Sequence, residues 1–317
     1  MVYGLSVAGA TYDQDNVLDR ELGGIIAAGA KWVRVDVDWS IAEAVRGRYN
    51  WWYADRIITR ATVHGLQVLA VLSNTPEWAR PTGTSSHGAP LDVQEFVRFT
   101  QEAVGRYAGR GVHTWEIWNE PNTSDFWEPT PDPVKYSVLL RLSAAAVHRV
   151  DPHALVLSGG LTPGSTTTKG SRIAPLAFVR ALYDNSAMAD VGAVAIHPYT
   201  FPENPAAPST AFARLPLIRD LMVERGDRDK KVWLTEFGAP TGTAPGSVTE
   251  AGQAGILEEG YLRALRWDWV GGIFLYQLRD AGPDQADLEE NFGLLRHDYS
   301  AKPAWFALRA ATGRSTG

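Results

Sequence analysis

Eight short apolar runs, each followed by a stretch with helical periodicity, predict an α/β fold, a single (β/α)8 TIM barrel with parallel strands. Two further observations agree. A chain of 317 residues fits one such barrel with a substantial buried core. The longest irregular stretches, 81–90, 123–132, 161–172, 200–210, 239–248 and 280–290, mostly follow strand ends, where a barrel builds its working face. One domain covering 1–317 is expected.

The strands are read at 3–7, 32–37, 67–72, 114–118, 155–158, 193–196, 232–235 and 272–276, as continuous apolar runs too short for buried helices. Helical periodicity is read at 16–28, 53–64, 93–108, 133–150, 175–183, 211–225 and 250–267, with a last helix at 303–311. A doubly wound open sheet is the structural alternative. It is weakened because the first strand is followed by Ala8-Gly9-Ala10-Thr11-Tyr12-Asp13, which lacks the G-x-G-x-x-G spacing of a phosphate loop.

Composition excludes several functions. A net charge of -6 with scattered Lys and Arg gives no basic stripe for nucleic acid. No apolar stretch reaches the roughly 18 to 20 residues of a membrane span, so no membrane partner is expected. The absence of cysteine removes disulfides, thiolate ligands and a thiol nucleophile without fixing the compartment. The first strand begins almost at once, at Tyr3, and a secreted or cell-envelope protein whose leader is absent from the sequence is the expectation. The 12 tryptophans are the compositional excess. Indole faces suit the C–H faces of sugar rings, although Trp32, Trp233 and Trp305 lie in runs that would be core in any case.

Two segments carry the chemistry. Trp118-Asn119-Glu120-Pro121-Asn122 ends the fourth strand and Thr235-Glu236-Phe237-Gly238 ends the seventh. These strands face each other across a barrel mouth, so Glu120 and Glu236 can converge on one bond. Two carboxyl groups, one protonated and one ionised, are what hydrolysis of a glycosidic bond requires. The bulk of Trp118 beside Glu120 favours its neutral form by desolvation. Glu236 needs a cation or donors to stay charged, and Arg34, His197 and Tyr199, at the ends of the second and sixth strands, are the expected sources. A set of this kind is costly to bury for structure alone.

These residues make the chain similar to the clan A glycoside hydrolases, and most like family 39 and related bacterial exopolysaccharide hydrolases. Val33-Arg34-Val35-Asp36-Val37-Asp38-Trp39, Gly47-Arg48-Tyr49-Asn50-Trp51, Asp55, Thr75-Pro76-Glu77-Trp78-Ala79, Asn291-Phe292-Gly293-Leu294-Leu295 and Lys302-Pro303-Ala304 also resemble that family's pattern. The resemblance implies Glu120 as general acid/base, Glu236 as nucleophile and Asn119 as partner of the sugar 2-hydroxyl. It also implies that Arg34 and Tyr199 hold Glu236 and that His197 lines the reacting subsite. In one place the chain departs from the clan, which commonly ends the eighth strand with a tryptophan under the reacting sugar. Here the strand reads Phe274-Leu275-Tyr276-Gln277-Leu278, so Tyr276 or Gln277 takes that position.

Other residues are weighed against these. Glu116 shares a strand side with Glu120 and is expected to pair inside the barrel. Asp36 and Asp38 are expected to make structural hydrogen bonds. Trp39, Trp78 and Trp127 fall just after strands and are expected sugar platforms. The seven histidines show no H-E-x-x-H spacing, so neither a catalytic metal nor a cofactor is expected, and no G-x-S-x-G marks a serine hydrolase. The resulting expectation is a retaining β-glycosidase acting on an oligo- or polysaccharide, with endo action favoured. A carbohydrate-binding barrel without catalysis and a transglycosylase using the same two glutamates are the alternatives.

Overall fold

The computed structural model describes residues 1–7 and 14–314; the segment 8–13, whose sequence lacks the phosphate-loop spacing, and residues 315–317 lie outside it. Eight parallel strands close into a barrel in chain order: β1 Val2–Ser6, β2 Trp32–Asp38, β3 Gln67–Ser73, β4 Thr114–Asn119, β5 Leu155–Gly160, β6 Ala193–Ile196, β7 Lys231–Phe237 and β8 Val270–Leu275. Around it run α1 Asp15–Ala27, α2 Trp39–Ala42, α3 Trp52–Val63, α4 Val93–Tyr107, α5 Pro133–Val150, α6 Pro175–Asp184, α7 Leu215–Glu224, α8 Glu250–Arg266 and α9 Pro303–Arg314. Among the described residues no helix is long and apolar enough to cross a membrane.

Local chemistry sets the helix starts. Asp92 accepts from Gln94 N–H, Asp132 from Val134 and Lys135 N–H, and Thr249 from Gly252 N–H, caps worth about 1 kcal/mol each. The helix expected at 211–225 begins instead as a 3-10 turn, Phe212–Arg214, before α7. Pro216 explains this, because proline lacks the N–H and its ring crowds the carbonyl four residues earlier, so the α-helix can start around it but not run through it. The short α2, capped by Asp38, is too brief to leave a periodic signal.

Residues on the outward strand faces, such as Val33, Val35 and Val37, pack under the helices in the main core. Inside, the lower barrel is filled by a separate apolar cluster of Leu69, Leu157, Ala193, Ala195, Trp233 and Phe274. Glycine makes room for its rings, since a Cβ at Gly4 would lie 2.4 Å from the Phe274 ring and one at Gly271 would lie 2.1 Å from Trp233 Nε1. Above this plug the inward positions turn polar. Arg34, Glu116, Ser158, His197 and Thr235 are all buried there, forming the floor of the site.

Candidate active site

The backbone bends sharply where β4 delivers its carboxylate. Trp118 (φ 74°) and Glu120 (φ 46°) both occupy the left-handed region, which costs a non-glycine residue about 1–3 kcal/mol. Local contacts hold the bend: Glu120 N–H donates to Gly160 O at 2.9 Å, and Trp118 Nε1–H donates to Phe126 O at 2.7 Å. On β7, the pairing with β8 is irregular between Leu234 and Phe237, and Glu236 lies within that interval. It therefore sits inside the strand rather than just past its end.

Arg34 ties the site together. Its Nε and Nη2 donate to Glu116 at 2.9 and 3.3 Å, Nη1 to Glu236 Oε1 at 2.6 Å, and Nη2 also to Asn119 Oδ1 at 2.7 Å. Because arginine has no acceptor, Asn119 must turn its oxygen to Arg34, which leaves its amide N–H2 as the free donor. Glu116 pairs inside the barrel as expected, accepting also from Gly160 N–H at 2.8 Å and Thr235 Oγ1 at 3.0 Å. Burial opposes the Arg34 charge, yet Glu116 and Glu236 outweigh it and hold the guanidinium well above its usual range.

Glu236 has a second donor, the Tyr199 hydroxyl, 2.7 Å from Oε2. Burial alone would raise its pKa, but the charges of His197 and Arg34 and the Tyr199 and Arg34 hydrogen bonds bring it below the usual carboxylate value of 4.5. Tyr199 itself is pushed up by burial and by Glu236. His197 differs from its expected role as a donor to Glu236. Its Nδ1 lies 2.8 Å from Glu120 Oε1 and 3.5 Å from Glu236 Oε2, so its short contact is with Glu120.

Its Nε2 is 3.1 Å from Thr235 Oγ1. Thr235 spends its one proton on Glu116, so it must accept from Nε2–H, and the remaining proton lies between His197 Nδ1 and Glu120. Burial favours the neutral imidazole, but the Glu236 and Glu120 charges prevail and raise the His197 pKa above 6.5.

One carboxylate oxygen from each of Glu120 and Glu236 and one His197 nitrogen lie within 4.8 Å of one another, a donor set able to hold a cation. The fit is poor, because both Glu236 oxygens are already occupied by Arg34 and Tyr199, and Arg34 supplies positive charge.

A cleft of about 740 Å³ opens above this group, lined by Arg34, Asn119, Glu120, Tyr199, Glu236 and Tyr276 among others. Not every expected residue reaches it. Trp39 is fully buried, stacked on Phe99 with its Nε1–H given to Glu43 Oε2, and Trp127 packs between Trp118 and Tyr136. Trp78 packs edge-on against Trp39, donates to Glu43 O and is not part of the cleft wall. Trp39 and Trp127 are thus core residues, and Trp78 is a half-buried one packed against that core, so none of the three expected platforms lines the cleft. Of the two candidates after β8, Tyr276 lines the cleft, whereas Gln277 is 1% exposed and away from it.

The aromatic wall consists instead of Tyr199, Phe201, Phe292 and Tyr276, with ring centroids 5.2 to 6.0 Å apart, and Phe126 stands in the β4–α5 loop. Two carboxylates enter the cleft without having been expected there, Asp36 and Glu289. Asp38 is a structural cap, as expected, bonded to Ser40 and Ile41 N–H and to Asn74. Asp36, however, opens into the cleft. Crowding by protein and by nearby carboxylates, offset in part by Arg34, pushes it up to about 6. Glu289, from the loop after β8, is raised by burial and by Glu236.

No family model matches the chain. A stretch of 64 residues, 20% of the chain and 12% of the relative, is 39% identical to a β-xylosidase of Geobacillus stearothermophilus. Across nearly the whole barrel the chain is similar to a family 39 glycoside hydrolase of Bacteroides cellulosilyticus, with TM-score 0.79, 27% identity, 98% of this chain and 63% of that one. A monomeric β-xylosidase of Caulobacter crescentus (TM-score 0.76, 19% identity, 97% of this chain and 66% of that one) shares the fold. So does a family 5 enzyme of Streptomyces cattleya in complex with Manβ1-4GlcNAc (TM-score 0.77, 19% identity, 99% and 80%). The chain thus spans less than two thirds of the family 39 structure's length and a small part of the curated xylosidase. A closed eight-stranded barrel that carries two glutamates, at the end of β4 and in β7, is consistent with the clan A glycoside hydrolases, and the chain is similar to family 39 among them.

Proposed function

We propose that the protein is a retaining β-glycosidase that works by double displacement. The observation that carries this is the pairing of Glu236, kept ionised by Arg34 and Tyr199, with Glu120, whose Oε1 stands 2.8 Å from His197 Nδ1, the two carboxyl groups offering oxygens within 4.8 Å of each other. Oxygens this close fit the roughly 5 to 5.5 Å between the carboxyl groups of retaining sites better than the roughly 6.5 to 9.5 Å that leaves room for water in inverting ones.

In the first step a Glu236 oxygen attacks the anomeric carbon while the Glu120 proton passes to the departing oxygen, whose bond to that carbon breaks. The free N–H2 of Asn119 donates to the 2-hydroxyl, and Tyr276 lies under the sugar. Water then attacks the same carbon and gives its proton to Glu120, and the bond to Glu236 breaks. His197 serves as the reserve for the Glu120 proton, and Arg34 takes up the Glu236 charge as it returns.

Nothing in the comparisons supports endo action. Two of the four relatives are β-xylosidases, enzymes that release terminal sugars, so terminal β-xylosides are the first substrates to try. The test is a panel of 4-nitrophenyl β-glycosides and β-linked oligosaccharides, with the anomer released followed by NMR. Retention, trapping of Glu236 by a 2-fluoro glycoside and loss of turnover in Glu236→Gln are expected. Inversion, or near-normal turnover in Glu236→Gln, would overturn the mechanism.

A further inference from the structure

We propose that Arg172 receives the carboxylate of an acidic sugar on the leaving-group side of the cleft, so that a neutral sugar is cleaved from a uronic-acid unit. The inference rests on the glycosidase reading and adds its substrate class. Arg172 lies in the β5–α6 loop and lines the cleft. The same motif that carries Glu120 fixes this loop. Asn122, fully buried, donates to Thr162 O and Ile173 O at 2.9 Å each and accepts from Thr162 N–H at 3.0 Å. Thr123 bridges Arg172 directly, and Ser124 N–H donates to Ser171 O at 2.8 Å. The strand that delivers the acid therefore also positions this guanidinium, on the side toward which the leaving group departs.

The Arg172 guanidinium has no carboxylate, carbonyl or hydroxyl partner among the described residues, and its Nε is buried without an acceptor. Arg34, by contrast, contacts two carboxylates and an amide. An unmatched buried donor on a charged group is costly, and a planar anion from the substrate would satisfy it through the guanidinium's two-pronged edge. Space for the guanidinium is built in. Gly164 adopts φ +128°, and a Cβ there would fall 2.8 Å from Arg172 Nη1 and 2.9 Å from its Cδ.

Charge in the cleft is also polarised. Asp36 on β2 and Glu289 in the loop after β8 stand on the flank centred on β1, which faces β5 across the closed barrel. An anionic sugar is repelled from that flank and accepted at Arg172. This orients the substrate with its neutral unit over Glu236.

Binding is measured in the Glu236→Gln protein, using a β-xylosyl disaccharide of glucuronic acid and its methyl ester, which differ only in charge. The acid is expected to bind roughly tenfold or more tightly than the ester. Adding Arg172→Gln abolishes the difference, Arg172→Lys retains part of it, and raised salt narrows it. Equal binding of acid and ester, or a preference that survives Arg172→Gln with the fold intact by circular dichroism, overturns the proposal. If the wild type cleaves neutral β-glycosides but shows no charge preference, this inference alone fails. If it cleaves nothing yet prefers the acid through Arg172, the glycosidase reading fails and the anion site stands.

Discussion

Arg34 Nη1 stands 2.6 Å from Glu236 Oε1 while Nε of the same guanidinium stands 2.9 Å from Glu116 Oε2, so one cation serves both the reacting carboxylate and a buried structural one. Arg34→Met should therefore damage activity and stability together. Removing one member of a buried pair leaves the other uncompensated, at about 3–5 kcal/mol, and the lost stabilisation of Glu236 should cost about 10²–10³-fold in kcat. Denaturant unfolding and kcat/KM against pH check this. The acidic limb should move to higher pH, and an unmoved limb would show that Arg34 does not set the Glu236 charge.

The pH profile should be bell-shaped. The acidic limb belongs to Glu236 and falls below 4.5, the ordinary carboxylate value. The basic limb reports loss of the proton at the His197–Glu120 contact, where the Glu236 and Glu120 charges raise the imidazole above 6.5. The same groups shape stability. The depressed Glu236 contributes above 4.5 and loses that contribution as pH falls through its folded value, whereas the raised His197 contributes below 6.5 and loses it as pH rises through its own. His197→Gln removes the raised imidazole, so the basic limb should shift to lower pH. A limb unchanged in that variant would remove His197 from the proton reservoir.

Most of the fold was legible because parallel strands buried on both faces read as continuous apolar runs, and seven of the helices keep to the expected segments within a few residues. Glu120 and Glu236 are legible as acids near apolar strand ends, and the same position marks Asn119, which ends β4, and Tyr199, just past β6. Arg34, expected at the end of its strand, is instead the third residue of the seven in β2 and reaches the carboxylates from the barrel floor. The tryptophans after strand ends do not form the expected platforms, because sequence gives a ring's distance from a strand end but not which way the following turn aims it. Trp39, sitting in α2, points into the helix layer. Asp36 reads in the sequence as a structural group because alternation along β2 marks it as inward without telling plugged interior from open cleft. The acceptor preference of His197 depends on Thr235 and Glu116, from two other strands, and no local pattern encodes it.

Gly160 should tolerate no side chain. A Cβ there would fall 2.1 Å from His197 Nε2 and 2.6 Å from Thr235 Oγ1, both fixed in the hydrogen-bond chain that ends at Glu120. Gly160→Ala should cost about 1–3 kcal/mol by overpacking and reduce kcat by roughly 10²-fold through misplacement of the acid. Thermal unfolding and kcat on an aryl glycoside decide it. Full activity in that variant would mean that His197 can move without consequence.

Trp39 and Phe126 separate core from cleft. Trp39 is fully buried, and its Nε1–H is one of the donors to the buried Glu43, which also binds Arg98 and Gly47 N–H. Trp39→Phe keeps an aromatic ring against Phe99 but removes that donor and some volume, so it should lower stability by about 1–3 kcal/mol while leaving KM unchanged. Phe126 lines the cleft beside the Glu120 loop, its ring 4.6 Å from His87. Phe126→Ala should raise KM for oligosaccharides more than for small aryl glycosides, because the lost apolar surface meets the sugar on the leaving side. Steady-state kinetics on the two substrate types, alongside unfolding of both variants, makes the comparison. A KM rise in Trp39→Phe with stability unchanged would return that tryptophan to the sugar-binding surface.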